Sequence, residues 1–101
     1  MAEITTPYVT PIIEALKAEM DIDSSLLARL YALLVLSKGS ETTMEDVHDA
    51  WSLWFEAGDG RRDHRSLVPF GQLPLQVQEY DRKYMNVIHR VAREYAGDGD
   101  A

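Results

Sequence analysis

The chain has 101 residues, 46% of them hydrophobic, which suits one compact domain and leaves little room for a second. Its formal charge is −7, from 17 acidic and 10 basic residues, so it does not have the basic surface that duplex-binding proteins use to neutralise phosphates. It has no cysteine, which excludes disulfides, thiolate catalysis and thiolate zinc sites.

A first helix is predicted over about residues 11–20. Thr10 can cap its N-terminus, and Pro11 suits the first helical position because its fixed φ already matches the helix. Helical spacing gives this segment one apolar face, made of Val9, Ile12, Ile13, Leu16 and Met20. We expect that face to enter the core.

The second helix, over about residues 25–38, is apolar nearly all round. Asp23 or Ser24 is well suited to cap it, and Gly39 is a C-terminal stop because glycine readily adopts the left-handed conformation that ends helices. A helix without a broad polar face is usually buried on several sides, so this one is predicted to lie at the centre of the fold. Such a helix would also suit a homodimer.

A third helix is predicted over about residues 43–57, where Thr42 and Glu45 form a capping box. Its apolar stripe consists of Met44, Val47, Trp51, Trp54 and Phe55. The fourth helix is predicted to begin at Pro74 and to extend to about Tyr95. Its apolar face consists of Val77, Tyr80, Tyr84, Val87, Ile88, Val91 and Tyr95.

The connection between the last two helices, residues 58–73, is polar and basic at first and apolar towards its end. Structureless loops of this length are uncommon in compact domains. Leu67, Val68 and Phe70 are therefore predicted to enter the core as a short extended segment, and a small hairpin over residues 61–70 is the main alternative.

Together these elements predict an all-α, compact four-helix domain over residues 8–95, with a short extended Leu-Val-Pro-Phe segment between helices three and four. Residues 1–7 are predicted to be a flexible N-terminal tail. Residues 96–101 have little apolar surface to bury and are predicted to be a disordered acidic tail.

The sequence offers little catalytic or metal-binding chemistry. Glu45 and His48, followed by Asp49, have the spacing of one half of a di-iron carboxylate site, but a complete site needs a second such pair. The other helical histidine, His89, has Asn86 three positions before it, so that pair is missing. Neither a nucleophile turn nor a phosphate-binding loop occurs. We therefore predict a protein that is not an enzyme and has no metal or cofactor.

Trp51 and Trp54 have two interpretations. Their helical spacing favours packing in the core, but one of them could belong to an exposed aromatic surface for a ligand or partner. The loop that follows carries the one positive patch of an acidic chain, which consists of Arg61, Arg62, His64 and Arg65. Arginine beside aromatic rings recognises phosphates or base rings, whereas a solvated loop that balances neighbouring carboxylates explains the patch without a ligand.

Several short motifs follow one another in residues 44–92. They are His48-x-x-Trp51, Ser-Leu-Val-Pro-Phe at 66–70, Leu73-Pro74 and Glu-Tyr-Asp-Arg at 79–82. In this order they resemble the RyR domain, the module named after the repeats of ryanodine receptors, which also occurs in bacterial and phage proteins. The Trp-Thr-Tyr-Gly stretch of that domain is absent, so any function that resides in it is not carried over.

The resemblance implies two different roles for the matched residues. Prokaryotic RyR domains have been suggested to sense nucleotide-derived signals, which implies a ligand groove between helices three and four. Trp51, Trp54 or Tyr80 would stack on the ring of that ligand, and the phosphates would meet Arg61, Arg62 and Arg65. Equally, the matched residues can be structural and hold the Leu-Val-Pro segment between two helices, which is the interpretation we favour. The residues concerned are His48, Trp51, Pro69, Phe70, Tyr80 and Asp81.

The chain also looks like a small family of actinobacterial and actinophage proteins with the same order of helix, Leu-Val-Pro-Phe and helix, which implies a phage or mobile-element accessory protein. No apolar run approaches the roughly 18 residues that span a membrane, and no secretory signal is evident. We therefore expect a cytoplasmic protein that binds a host protein. The alternatives are a module that binds or sequesters a nucleotide-like ligand and, less consistent with the interspersed basic residues, a DNA mimic.

Overall fold

In the computed structural model, residues 8–59 and 64–95 are described, and they form four helices around one core. The helices are α1 (Val9–Met20), α2 (Ser25–Ser37), α3 (Met44–Asp59) and α4 (Leu75–Tyr95). Short 3₁₀ turns lie at Gly39–Glu41 and Phe70–Gln72. Neither described range contains a strand, so the predicted all-α, four-helix class is confirmed. The predicted tails, 1–7 and 96–101, lie outside the described residues.

The start of α1 differs from the prediction. The helix begins at Val9 with Tyr8 at its N-cap, so Thr10 is not the cap and Pro11 is the third helical residue. The first N–H groups of a helix have no partner within it, and proline is therefore tolerated throughout the first turn. At the other end, Asp21 adopts a left-handed conformation with φ of 55° and donates its N–H to the carbonyl of Lys17.

Both ends of α2 agree with the prediction. The Ser24 side chain accepts a hydrogen bond from the Leu27 N–H at 3.1 Å, which satisfies one of the unpaired donors of the first turn. After the helix ends at Ser37, Gly39 takes a positive φ of 56°, which costs glycine little.

The capping box of α3 lies one residue later than predicted. Thr43, not Thr42, caps the helix: its Oγ1 accepts from the Asp46 N–H at 3.1 Å, and Asp46 Oδ2 accepts from the Thr43 N–H at 2.9 Å. Thr42 is instead buried, and its carbonyl lies 2.8 Å from Nε2 of His89 on α4. The predicted partner Glu45 is exposed.

The core is formed by all four helices. Residues whose side chains are almost completely buried come from each of them and include Ile12, Leu16, Tyr31, Val35, Val47, Ile88 and Val91. The α2 helix contacts the other three, as its predicted central position requires, and α4 does so as well. An ion pair between Glu19 and Arg90 adds a link between α1 and α4.

The α2 helix is central, as predicted, but one of its faces is exposed. Leu26, Leu33 and Leu36 are 48%, 58% and 41% exposed and lie on one face, with Arg29 also exposed. We call Leu26, Leu33 and Leu36 the leucine face. The face is uncovered because α1, α3 and α4 pack on the opposite side, which carries Leu27, Ala28, Tyr31, Ala32 and Val35.

The predicted extended segment before α4 forms only in part: the Leu67 N–H donates to the His64 carbonyl in a turn, and Phe70 begins a 3₁₀ turn. Pro69 has extended backbone with ψ of 147°, and residues 64–70 contain no strand, so the described part of the alternative hairpin does not form. Leu67, Val68 and Phe70 are half-buried, while Leu73 is the residue that becomes fully buried. The Gln78 side chain fixes the turn by donating to the carbonyls of Phe70 and Leu73.

Candidate functional site

A cavity of about 140 Å³ lies where α2, α3 and α4 meet. Its lining residues are Tyr31, His48, Trp51, Ser66, Val77, Tyr80, Asp81 and Tyr84. We call it the aromatic cavity. It is smaller than the roughly 300–1,000 Å³ of pockets that take drug-sized ligands, so only a small group fits inside it.

Two polar atoms of residues that line the aromatic cavity are buried without a hydrogen bond. The hydroxyl of Tyr31 and Oδ2 of Asp81 have no partner among the residues that the structure describes. Tyr31 is completely buried, and Asp81 is 9% exposed. Leaving such groups unpaired costs roughly 1–3 kcal/mol each, so native proteins rarely do so without a reason.

The environment of these two residues disfavours their charged forms. Burial raises the pKa of Asp81 to about 6, while the nearby imidazole of His48 acts in the opposite direction. Burial also raises the pKa of Tyr31 well above its usual value, and the neighbouring Tyr84 and Asp81 add to the effect. The Tyr31 phenol is therefore neutral at physiological pH, whereas the Asp81 carboxyl titrates close to it.

His48 holds the Leu-Val-Pro segment against α3. Its Nε2 lies 2.7 Å from the carbonyl oxygen of Val68, and a carbonyl only accepts, so Nε2 carries the proton of this bond. Its Nδ1 lies 3.9 Å from Oδ2 of Asp81, which is too far for a hydrogen bond. The ring also stacks on Trp51 at a centroid distance of 5.8 Å. His48 thus joins the segment to α3 and faces α4.

Two of the predicted ligand residues, Trp51 and Tyr80, line the same cavity. Trp51 is half-buried, so its indole is neither fully packed in the core nor fully exposed, the two interpretations that its spacing allowed. Tyr80 was predicted on the apolar face of α4 but is 65% exposed, and so is part of the cavity rim. Tyr95, predicted on the same face, is also exposed. Asp81 occupies the inward position beside Tyr80.

Trp54 lies away from the aromatic cavity. Its indole N–H donates to Oγ of Ser24 at 3.0 Å, and its ring packs against the core. The position is structural, because it links α3 to the start of α2. Trp54 and Trp51 are therefore not brought together in one site.

The predicted positive patch is only partly described. His64 is half-buried rather than solvated: its ring packs edge-on against Trp51 and Phe55, at centroid distances of 5.2 and 4.9 Å. Arg65 is exposed and lines a separate cavity of about 320 Å³ that shares Ser66 and Val77 with the aromatic cavity. Arg61 and Arg62 lie outside the described residues.

The Glu45, His48 and Asp49 pattern does not assemble a site. Glu45 and Asp49 are exposed on α3, whereas His48 points into the protein. Within residues 8–59 and 64–95, no group of three or more histidine and carboxylate side chains is placed to hold a metal ion.

Sequence reasoning did not single out Tyr31 and Tyr84 as site residues. It treated Asp81 only as a possible structural residue, and His48 as either a structural residue or one half of an incomplete metal site. One signal was available for Asp81: it follows Val77 by four positions and precedes Ile88 by seven, which is the inward stripe of α4. An acidic residue in such a stripe is either paired or functional. Tyr31 gave a weaker signal, as the one hydroxyl in an otherwise apolar stretch of α2.

A second candidate surface lies on the opposite side of α2. The leucine face borders a shallow groove of about 170 Å³ between α1 and α2, lined by Val9, Ile13, Arg29, Ala32, Leu33 and Leu36. Leu26, Leu33 and Leu36 are separated by seven and three positions, the spacing with which a helix contacts another helix. None of the helices described covers it.

No helix in the described parts of the chain is both long enough and apolar enough to cross a membrane. No curated protein matches the chain. No solved structure matches it. One protein family matches residues 6–93, a range that includes α1, α2, α3, all but the last two residues of α4, and both candidate surfaces. The chain therefore belongs to the family described as Domain of unknown function (DUF7701).

Proposed function

We propose that this chain is a non-enzymatic accessory protein that binds a host protein through the leucine face. The observation that carries the proposal is the exposure of three leucines on one side of α2, between 41% and 58% each. Single exposed leucines are ordinary, but leucines at helix-packing spacing beside a groove are typical of a surface that another helix contacts.

The chemistry of this surface specifies the partner. Arg29 lies beside the leucine face, three residues after Leu26 and four before Leu33. It forms no ion pair with a described residue. An arginine at the edge of an apolar contact favours a carboxylate opposite it. We therefore infer an amphipathic partner helix with apolar residues for the groove and an acidic residue for Arg29.

The phage or mobile-element origin and the cytoplasmic location remain part of this proposal. Both rest on the likeness to actinobacterial and actinophage proteins. Burial of Trp54, Phe55 and every tyrosine would count against a binding role, but Trp54 and Phe55 are half-buried and Tyr8 is 75% exposed.

A comparison of captured host proteins tests the proposal. Leu33→Glu places a charge in the centre of the face, and the matched control is Leu75→Glu, at a residue on α4 that is 78% exposed and outside the groove. Loss of one buried leucine costs about 1.5–3 kcal/mol, so we expect a loss of affinity of roughly ten- to hundredfold for Leu33→Glu and none for the control.

The assay then uses the purified partner rather than the lysate. The proposal is supported if the wild type and the control bind and Leu33→Glu does not. It is also supported if binding lost in Arg29→Glu is restored when a lysine replaces the partner's carboxylate residue. Equal binding of both leucine variants contradicts it. A homodimer in light scattering that is lost in Leu33→Glu would assign the face to a second copy of this chain instead.

The nucleotide-binding alternative implied by the RyR resemblance has one observation in its favour. Trp51 and Tyr80, both expected to stack on a ring, line the aromatic cavity. Arg65 lines the neighbouring cavity, which shares Ser66 and Val77 with it. The size of the aromatic cavity, about 140 Å³, limits it to a single ring at most. A thermal-shift screen with cyclic dinucleotides and ADP-ribose derivatives tests this alternative, with Arg65→Ala as the variant that should remove any shift.

A further inference from the structure

The aromatic cavity combines aromatic walls with a buried carboxylate. Four of its lining side chains are aromatic: Trp51, Tyr31, Tyr80 and Tyr84. Asp81 is the one acidic residue among the described residues that line it. The rings of Tyr31 and Tyr84 lie 5.9 Å apart at an angle of 46°. Faces of aromatic rings attract cations through their quadrupole, and such cages recognise organic ammonium groups.

The unpaired polar atoms of the cavity point to a donor of hydrogen bonds. Oδ2 of Asp81 is a buried acceptor without a donor, and the buried Tyr31 hydroxyl oxygen can accept as well. His48 uses its Nε2 proton on the Val68 carbonyl, so in the neutral ring Nδ1 is a third acceptor, 3.9 Å from Asp81 Oδ2. A bound group with several N–H donors would satisfy these atoms together.

The charge of the described lining disfavours the opposite kind of ligand. Among the residues that the structure describes, no arginine or lysine lines the aromatic cavity, and the chain as a whole has a formal charge of −7. An anion would therefore enter against Asp81 without a counter-charge, at a high desolvation cost. A cation would be attracted both by the nearby carboxylate and by the overall field.

The size of the cavity limits the ligand further. A water molecule occupies about 30 Å³ in the liquid, so the volume of about 140 Å³ accommodates about five non-hydrogen atoms. An alkylammonium group with a four-carbon chain has that size. Larger ligands could enter only with such a group at one end.

We propose that the aromatic cavity binds the primary ammonium group of a small organic amine, with Asp81 as its counter-ion and Tyr31 as a second acceptor. Trp51, Tyr80 and Tyr84 contact the alkyl chain and the positive charge. The site is separate from the leucine face, so this inference does not depend on how the chain binds a protein partner.

Calorimetric titration of the full chain at pH 8 tests the proposal with three probes of similar size: n-butylammonium, 1-pentanol and butyrate. We expect saturable binding of n-butylammonium, at least about tenfold weaker binding of the neutral alcohol, and none of butyrate. A fourth probe, N-acetyl-lysine methylamide, distinguishes the source of the ammonium group: tighter binding than n-butylammonium would point to a lysine side chain, and weaker binding to a free amine.

Variants assign the binding to the cavity. Asp81→Asn removes the counter-ion and should weaken n-butylammonium binding at least about tenfold, whereas Asp49→Asn, at an exposed carboxylate on α3, should leave it unchanged. Tyr31→Phe removes an unpaired hydroxyl and therefore folds without difficulty, and it should weaken binding about three- to tenfold. It decides the matter if Asp81→Asn does not fold.

The proposal fails if 1-pentanol binds as tightly as n-butylammonium, since the cavity would then be merely apolar. It also fails if n-butylammonium shows no saturable binding, or if it binds equally well to the wild type and to folded Asp81→Asn and Tyr31→Phe proteins.

Discussion

The indole N–H of Trp54 on α3 and the backbone N–H of Leu27 on α2 donate to the same oxygen, Oγ of Ser24, at 3.0 and 3.1 Å. One hydroxyl therefore caps α2 and joins it to α3. Ser24→Ala should destabilise the protein by about 1–2 kcal/mol, because it removes the cap and leaves the indole without this partner.

Urea unfolding measures this effect, with Ser25→Ala as the matched control. Ser25 is exposed and is adjacent in sequence but does not cap the helix, so its variant should stay within about 0.5 kcal/mol of the wild type. Equal effects of the two substitutions would show that the shared oxygen has no special importance.

Stability should fall as the pH rises through 6, because of Asp81. Its pKa, raised by burial from 3.8 to about 6, means that the folded state holds a proton more tightly than the unfolded chain. The stabilisation is complete below pH 3.8 and is lost as the pH passes 6. Between pH 4.5 and 8 the loss is about 2 kcal/mol.

Urea unfolding at the two pH values, for the wild type and for Asp81→Asn, isolates this contribution. The variant should lose about 2 kcal/mol less than the wild type over the interval, and Asp49→Asn should behave like the wild type. His48 is present in all three proteins, so a difference between them belongs to the substituted carboxyl. A wild-type pH profile in Asp81→Asn would contradict the assignment.

Tyr31→Phe should stabilise the protein in the absence of ligand. The hydroxyl is completely buried and has no partner in the described part of the chain, so its removal relieves a desolvation cost. We expect a gain of about 1 kcal/mol in the free energy of unfolding. Tyr80→Phe, at a residue that is 65% exposed, is the control and should change stability little. Destabilisation by Tyr31→Phe would mean that the hydroxyl is hydrogen-bonded in solution.

His48→Leu should release the segment between α3 and α4. The variant loses the 2.7 Å contact with the Val68 carbonyl, and the amides of Gln72 and Leu73, bonded to the carbonyls of Pro69 and Phe70, report the loss. Their hydrogen exchange should accelerate roughly five- to thirtyfold, which corresponds to about 1–2 kcal/mol of local stability.

His89→Leu is the matched control for that experiment. His89 makes the same kind of contact with a different carbonyl, that of Thr42 at 2.8 Å, so its loss should affect the Thr42 amide and not those of Gln72 and Leu73. If both variants change the same amides, the effect is global unfolding and the local assignment is wrong.

The sequence was a good guide to the helices because their ends carry local signals. Ser24 and Gly39 act through bonds and dihedral angles within a few residues of themselves, so the limits of α2 follow from its own sequence. The cap of α3 was misplaced by one residue because two threonines are adjacent and two acidic residues follow three positions later. The choice is settled by His89, which contacts the Thr42 carbonyl from 47 positions away.

The candidate site could be predicted only in part. Trp51 was proposed because aromatic residues near basic ones are a recognisable combination, and Tyr80 was proposed only through the resemblance to the RyR domain. The counter-ion Asp81 was hidden between Glu79 and Arg82, which pair with each other at 3.0 Å on the solvent side. Which leucines of α2 stay uncovered also depends on where the other helices pack, and a run of identical residue types does not contain that information.

The two tryptophans, only three positions apart on α3, lie in very different surroundings: Trp51 lines the aromatic cavity and stacks on His48, whereas Trp54 is fixed to Ser24. They are also the only tryptophans of the chain. Replacing either one by phenylalanine leaves a single emitter. Where Trp51 remains, its fluorescence should follow occupancy of the cavity. Where Trp54 remains, its fluorescence should follow the docking of α3 on α2. The protein thus contains separate optical reporters for ligand binding and for folding.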